Sequence, residues 1–145
     1  MRGRKVCVFM CVGFVIAHAS VLGFAGEGPT MEWEIFNSQN GLMRDGCLHV
    51  FEDAEGNIWC TGGERGASVF DGTQWTNFRK EDGLISSPTV KYLVDSQGNV
   101  WLSDISGRSS RFDGRQWTKI PIKYGGLFFE DSKKNIWIGG GGIYN

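Results

Sequence analysis

Seven residues recur along this chain with little change. Asp53-Ala-Glu-Gly-Asn-Ile-Trp59 is followed 42 residues later by Asp95-Ser-Gln-Gly-Asn-Val-Trp101, and a third version runs from Asp131 to Trp137. A fixed spacing of this kind is the mark of a repeat architecture, in which each copy is one supersecondary unit that buries its faces against its neighbours. Shifting the chain by 42 aligns Trp33 with Trp75, Trp75 with Trp117, Gly41-Leu42 with Gly83-Leu84, and Phe70-Asp71-Gly72 with Phe112-Asp113-Gly114. Twelve of the 42 pairs in the first two copies are identical, and six of the others are apolar on apolar. The copies run over about residues 31–72, 73–114 and 115–145. The third is shorter, with 36 residues from Trp101 to Trp137, and it lacks the Gly-Leu loop.

Each copy contains four short runs that read as strands. In the second copy they are Gln74–Phe78, Thr89–Asp95, Asn99–Ser103 and Ser109–Asp113, rich in Val, Tyr, Trp, Phe and Thr, the residues that suit a pleated surface. The segments between them are turns. In D-x-x-G-N the Asp accepts backbone hydrogen bonds and the Gly takes the left-handed conformation. Lys134 stands at that Gly position in the third copy, which costs roughly 1 kcal/mol if the position is left-handed. Asp-Gly at 71–72 and 113–114 predicts a second hairpin, leading into the next Trp strand. Four antiparallel strands per repeat of about 40–45 residues is the pattern of a β-propeller blade. The expected fold is therefore all-β, with blades of four antiparallel strands and fewer than three blades present.

The order G-L, a β-run ending in D-x-x-G-N-(I/V)-W, a Gly-rich link, then F-D-G and W-T resembles the two-component regulator propeller repeat. The resemblance covers Trp33 to the C-terminus; the third copy departs from it at the missing loop and at Lys134. It implies the extracytoplasmic sensor region of a bacterial hybrid histidine kinase or a related signalling protein.

Export is also expected from the N-terminus. Arg2, Arg4 and Lys5 precede an uncharged, mostly apolar stretch from Val6 to Phe24, with small-residue exits at Ala17-His18-Ala19 or Gly23-Phe24-Ala25. Residues 1–25 therefore read as a signal peptide, or else as an uncleaved membrane anchor. Residues 26–145 form the partial propeller, placed in the periplasm or outside the cell. With a net charge of −1, nucleic acid is not expected as a partner. Export permits a disulfide between Cys47 and Cys60. A regular hairpin, however, sets Cys60 opposite a residue near Val50, with Cys47 roughly 10 Å further along. Two buried thiols are the expectation.

The chemistry-bearing residues form no catalytic pattern. All six Trp lie in phase with the repeat, which predicts packing between blades for Trp59, Trp101 and Trp137 and, less strictly, for Trp33, Trp75 and Trp117. Calcium loops draw several oxygens from one short loop, whereas Asp53, Asp95 and Asp131 each stand alone as turn caps. His49, aligned with Lys91, reads as a strand residue, since a lone His makes neither a zinc site nor a triad. No enzymatic activity, cofactor or metal is expected. Positions where the copies differ are the candidates for ligand contact: Arg44 and Asp45 in "MRDG", Glu64 and Arg65 in "GGERG", and Arg108 in "DISGR". The expected ligand is a small molecule or an oligosaccharide. Further blades, from the same or another chain, are the expected protein partners, because propellers have four to eight blades. A truncated sensor and a self-assembling ring are both compatible with the chain. The function predicted is a non-catalytic sensing or interaction module, with a secreted, oligomeric, lectin-like propeller as the alternative.

Overall fold

Strands and turns fall where the alternation of apolar residues and Asp-Gly punctuation predicts them. The computed structural model describes residues 5–9, 32–43, 47–63, 66–85, 89–122 and 126–140. In chain order the strands are β1 (Lys5–Phe9), β2 (Glu32–Phe36), β3 (His49–Glu52), β4 (Ile58–Gly63), β5 (Gly66–Phe70), β6 (Trp75–Phe78), β7 (Thr89–Val94), β8 (Val100–Asp104), β9 (Ser109–Phe112), β10 (Trp117–Ile120), β11 (Leu127–Glu130) and β12 (Ile136–Gly139). They form two four-stranded antiparallel sheets, β3-β4-β5-β6 and β7-β8-β9-β10, and the two-stranded pairs β11-β12 and β1-β2. The first of these pairs is antiparallel and the second parallel. β1 thus uses residues expected in the leader.

Each four-stranded sheet straddles a boundary of the sequence repeat. The Trp strand that opens a copy belongs to the sheet of the copy before it, because the tight Asp-Gly turn joins it there: Phe70 pairs with Trp75, and Phe112 with Trp117. Three-residue 3-10 turns, Ser38–Asn40 and Lys80–Asp82, followed by Gly-Leu, lead from one sheet to the next. Leu42 and Leu84 are buried there. Antiparallel order puts the D-x-x-G-N and Asp-Gly turns at one end of the sheets. The β4–β5 and β8–β9 connections and the entries to β3 and β7 lie at the other.

Alternation along the strands gives each four-stranded sheet two apolar faces. Phe51, Trp59 and Val69 pair across β3, β4 and β5 and share a face. That face meets the second sheet through Val100, Leu102, Phe112 and Trp117, and together they form the core. Trp59 is 1% exposed. Its ring lies 5.6 Å from Phe112 and 5.9 Å from Trp117, both edge-on, while Phe51 stacks on Tyr92 at 4.0 Å. One step along, Trp101 is buried with Phe128 of β11 at 5.9 Å. The second sheet also holds the β11–β12 pair through Ser103 Oγ, which donates to the Gly126 carbonyl (3.1 Å), and the Ser96 amide, which donates to Glu130 (2.7 Å).

Trp137 departs from the expectation of packing between blades. It is 61% exposed, and its cross-strand partner Phe129 is 63% exposed. The motif sets where the ring points; burial needs a sheet on that side, and none of the described residues supplies one. Trp117 is buried and Trp75 half-buried, while the side chain of Trp33 lies outside the described residues.

The expectation of two thiols is also overturned. Cys47 and Cys60 are joined as a disulfide, with Cα atoms 5.6 Å apart. Cys60 does pair with Val50, as the hairpin requires. But β3 begins only at His49, and the bend at Leu48, whose amide donates to the Thr61 carbonyl at 2.9 Å, brings Cys47 back over β4. A bridge across 13 residues limits the unfolded chain, so its reduction should cost about 3 kcal/mol. Peptide mapping without reductant, followed by urea unfolding with and without it, checks both the pairing and the cost.

Candidate functional site

The recurring heptad is one hydrogen-bonded unit. Asp95 Oδ1 accepts from the Gln97 amide (3.0 Å) and the Asn99 amide (2.8 Å), while Oδ2 accepts from Asn99 Nδ2 (2.8 Å) and Trp101 Nε1 (2.8 Å). Asp53 and Asp131 hold their own turns and the indoles of Trp59 and Trp137 in the same way, at 2.8 and 2.9 Å. The carboxylate therefore closes the turn and aims the ring, which explains why Asp, Asn and Trp recur together. Gly56 and Gly98 are left-handed at φ 86° and 85°, and Lys134 takes φ 70° at the same position. Lys134→Gly should accordingly stabilise the chain by about 1 kcal/mol, read as a shift in the urea midpoint.

Asp131, Asp71 and Asp95 are held as anions by their donors. The Trp137 indole, then Asn135, bring Asp131 down from 3.8 to about 2. The Thr73 hydroxyl and the amides of Gln74 and Thr73 do the same for Asp71. Burial raises the pKa of Asp95, but the Trp101 and Asn99 bonds outweigh it and the net shift is downward. A folded-state pKa below the unfolded value favours folding above the ordinary carboxylate range. For Asp71 and Asp131 that contribution should fade as pH falls from near 3.8 to about 2. Carboxyl-detected NMR titration should find both midpoints near 2, and Trp137→Phe should raise that of Asp131 alone.

Among the five candidate ligand residues, Arg44, Asp45, Glu64 and Arg65 lie outside the described residues. Arg108 is described, and it is not part of an irregular variable loop. Asp104-Ile-Ser-Gly-Arg108 folds as another Asp turn. The Asp104 amide donates to the Arg108 carbonyl (2.9 Å), and Asp104 Oδ1 accepts from the Ser106 and Arg108 amides (2.8 and 3.0 Å). Arg108 Nε donates to Asp104 Oδ2 at 2.8 Å, the role Asn plays in the heptads. The Asp–Gly spacing of three, shared with D-A-E-G-N, is the signal in the sequence that marks this turn. His49 sits in β3 with its ring 6.1 Å from Tyr92. Among the described residues no group of three His, Cys, Asp or Glu could hold a metal ion.

Beside Arg108 lies a cleft of about 190 Å³ lined by Lys80, Leu84, Ile85, Arg108, Ser109, Lys119 and Ile120. Its walls are the sheet-to-sheet connection on one side and the start of β9 with the end of β10 on the other. The apolar side chains are Leu84, Ile85 and Ile120. Three cationic side chains join them, and none of the described residues lining the cleft carries a carboxylate.

With this geometry in hand, comparison with solved structures is informative. Two matches are structures of the extracellular domain of BT4673 from B. thetaiotaomicron, described in one as a putative one component system and in the other as a putative hybrid two component system. Both superpose with a TM-score of 0.57 at 17% identity, covering 76% and 74% of this chain. The chain is all-β in the manner of those extracellular domains. It spans only 16% of the length of each. No family model matches, and no curated protein matches the chain.

Proposed function

We propose that the chain is part of the extracytoplasmic ligand-sensing region of a bacterial two-component-type signalling protein, and that it performs no chemistry itself. The observation that carries this reading is the likeness to the extracellular domains of BT4673, joined to the agreement between the Asp-Gly-Asn-Trp repeat and a stack of antiparallel sheets. In this reading the sheets are blades of a β-propeller, repeated every 42 residues, with fewer than three in this chain. Further blades come from the same or another chain. The face of β11-β12 that bears Leu127, Phe129 and Trp137, each more than half exposed, supports such a neighbour, since the equivalent faces of the two earlier sheets are covered. Residues 1–25 would direct export. A ligand held at the end of the sheets opposite the heptad turns would change how neighbouring blades pack and so bias a membrane-coupled output. Among the described residues no helix is long and apolar enough to cross a membrane. Nothing in the structural likenesses favours the lectin-like alternative.

The test is thermal denaturation of the full chain against a panel of oligosaccharides and small organic acids. At least one compound should raise the midpoint and be recovered chemically intact by mass spectrometry. Conversion of the compound, or no stabilising compound in the panel, would count against a non-catalytic sensor.

A further inference from the structure

The polar lining of the cleft beside Arg108 belongs to the second repeat, and the first repeat serves as its internal control. Shifted back by 42, Leu84 becomes Leu42 and Ile85 becomes Met43, so the apolar floor is common to both. The cations are not. Lys80, Arg108 and Lys119 become Ser38, Gly66 and Asn77, and Ser109 becomes Ala67. The fold builds the same connection without them.

The first repeat also closes this region with hydrogen bonds. The Met43 amide donates to Ser68 Oγ (3.2 Å), Ser68 Oγ donates to Asn77 Oδ1 (2.6 Å), and Asn77 Nδ2 donates to the Gly41 carbonyl (3.0 Å). In the second repeat Lys119 replaces that Asn, and Ser110, the counterpart of Ser68, is left buried with no hydrogen-bond partner among the described residues. Ser109, which lines the cleft, is 1% exposed and its hydroxyl is likewise unpartnered. A buried hydroxyl without a partner carries a desolvation penalty that a ligand in the cleft would relieve. Arg108 is oriented through Nε by Asp104, whose side chain is fully buried. Asp104 pairs with Arg108, and Lys80 and Lys119 add positive charge around the apolar floor.

Resting on the sensing reading, we propose that this cleft binds a small organic carboxylate. Its carboxylate meets Lys80, Arg108 and Lys119 with the Ser109 hydroxyl beside it, and its apolar body lies on Leu84, Ile85 and Ile120. The apolar floor selects an organic anion over an inorganic one. A volume of about 190 Å³ suits a single-ring or branched short-chain acid, below the range of drug-sized sites.

The experiment is a titration of the full, isotope-labelled chain with benzoate, benzamide and inorganic sulfate at matched ionic strength, followed by amide NMR. Benzoate should give saturable shifts at Leu84, Ile85, Ser109 and Ile120, with benzamide and sulfate at least tenfold weaker. Lys119→Asn and Lys80→Ser, which install the residues of the first repeat and so preserve the fold, should each weaken benzoate at least fivefold. Ser109→Ala should weaken it without affecting the response to ionic strength. Equal responses to benzoate and benzamide, tighter binding of sulfate, absence of saturable shifts at the cleft, or unchanged affinity in both lysine variants would each overturn the proposal. If benzoate fails here while another compound stabilises the chain thermally, the carboxylate site is wrong and the sensor reading stands.

Discussion

Trp59→Ala should destabilise the chain by about 3–5 kcal/mol, the cost of emptying a large aromatic site in a core, whereas Trp137→Ala should cost about 1 kcal/mol or less. The two residues occupy the same position in the same motif, and both indoles donate to the Asp six residues before them, at 2.8 and 2.9 Å. What separates them is coverage. Trp59 lies against Phe78 of its own sheet at 5.8 Å and against Phe112 and Trp117 of the next, while Trp137 is mostly solvated. Urea unfolding of both variants measures the difference. Since a domain of this size has only a small margin of stability, loss of a cooperative transition in Trp59→Ala meets the expectation; similar modest losses in both variants contradict it.

Gly66→Ala should cost about 4 kcal/mol or more, the range of severe backbone and packing lesions. Gly66 has φ 139°, and a Cβ built there falls 1.9 Å from the Phe78 carbonyl oxygen and 3.1 Å from its carbon. That carbonyl belongs to β6, next to the Ala67–Phe78 pair of the ladder, so relief means pulling β6 away from β5. Gly114→Ala is the control. It is also left-handed, at φ 88°, but a Cβ there meets nothing within 4 Å, and only the conformational cost of about 1 kcal/mol applies. Equal midpoints for the two variants would show that β6 is not held where it lies here.

Much of this architecture is legible because its determinants are local. The Asp-Gly-Asn turns need one carboxylate, one left-handed residue and one amide in a fixed order, so the sequence displays them directly, and even the exception at Lys134 is readable. Strand positions follow from alternation in the same way. Less legible are features that depend on what lies across a gap. The Cys47–Cys60 bridge depends on a bend at Leu48 that no turn residue announces. Burial of a heptad Trp depends on the next sheet, which is why Trp59 and Trp137 read alike and behave differently. Arg108 is an intermediate case, since its turn is visible in the Asp–Gly spacing but hidden by the Arg that replaces Asn. The cleft beside it joins residues up to 40 apart, and only Arg108 among them stands out in the sequence. Lys80 and Lys119 look like ordinary solvated lysines until the fold brings them to one rim.

Stacking of successive sheets through the heptad tryptophans is the central physical claim, and ring-to-ring nuclear Overhauser spectroscopy on the full chain measures it most directly. Cross-peaks should link Trp59 to Phe112 and Trp117, and Trp101 to Phe128, at centroid separations of 5.6–5.9 Å, with none from Trp137 to any ring among the described residues beyond its own strand pair. Trp59 contacts confined to Phe51 and Phe78 of its own sheet would mean that the sheets do not stack.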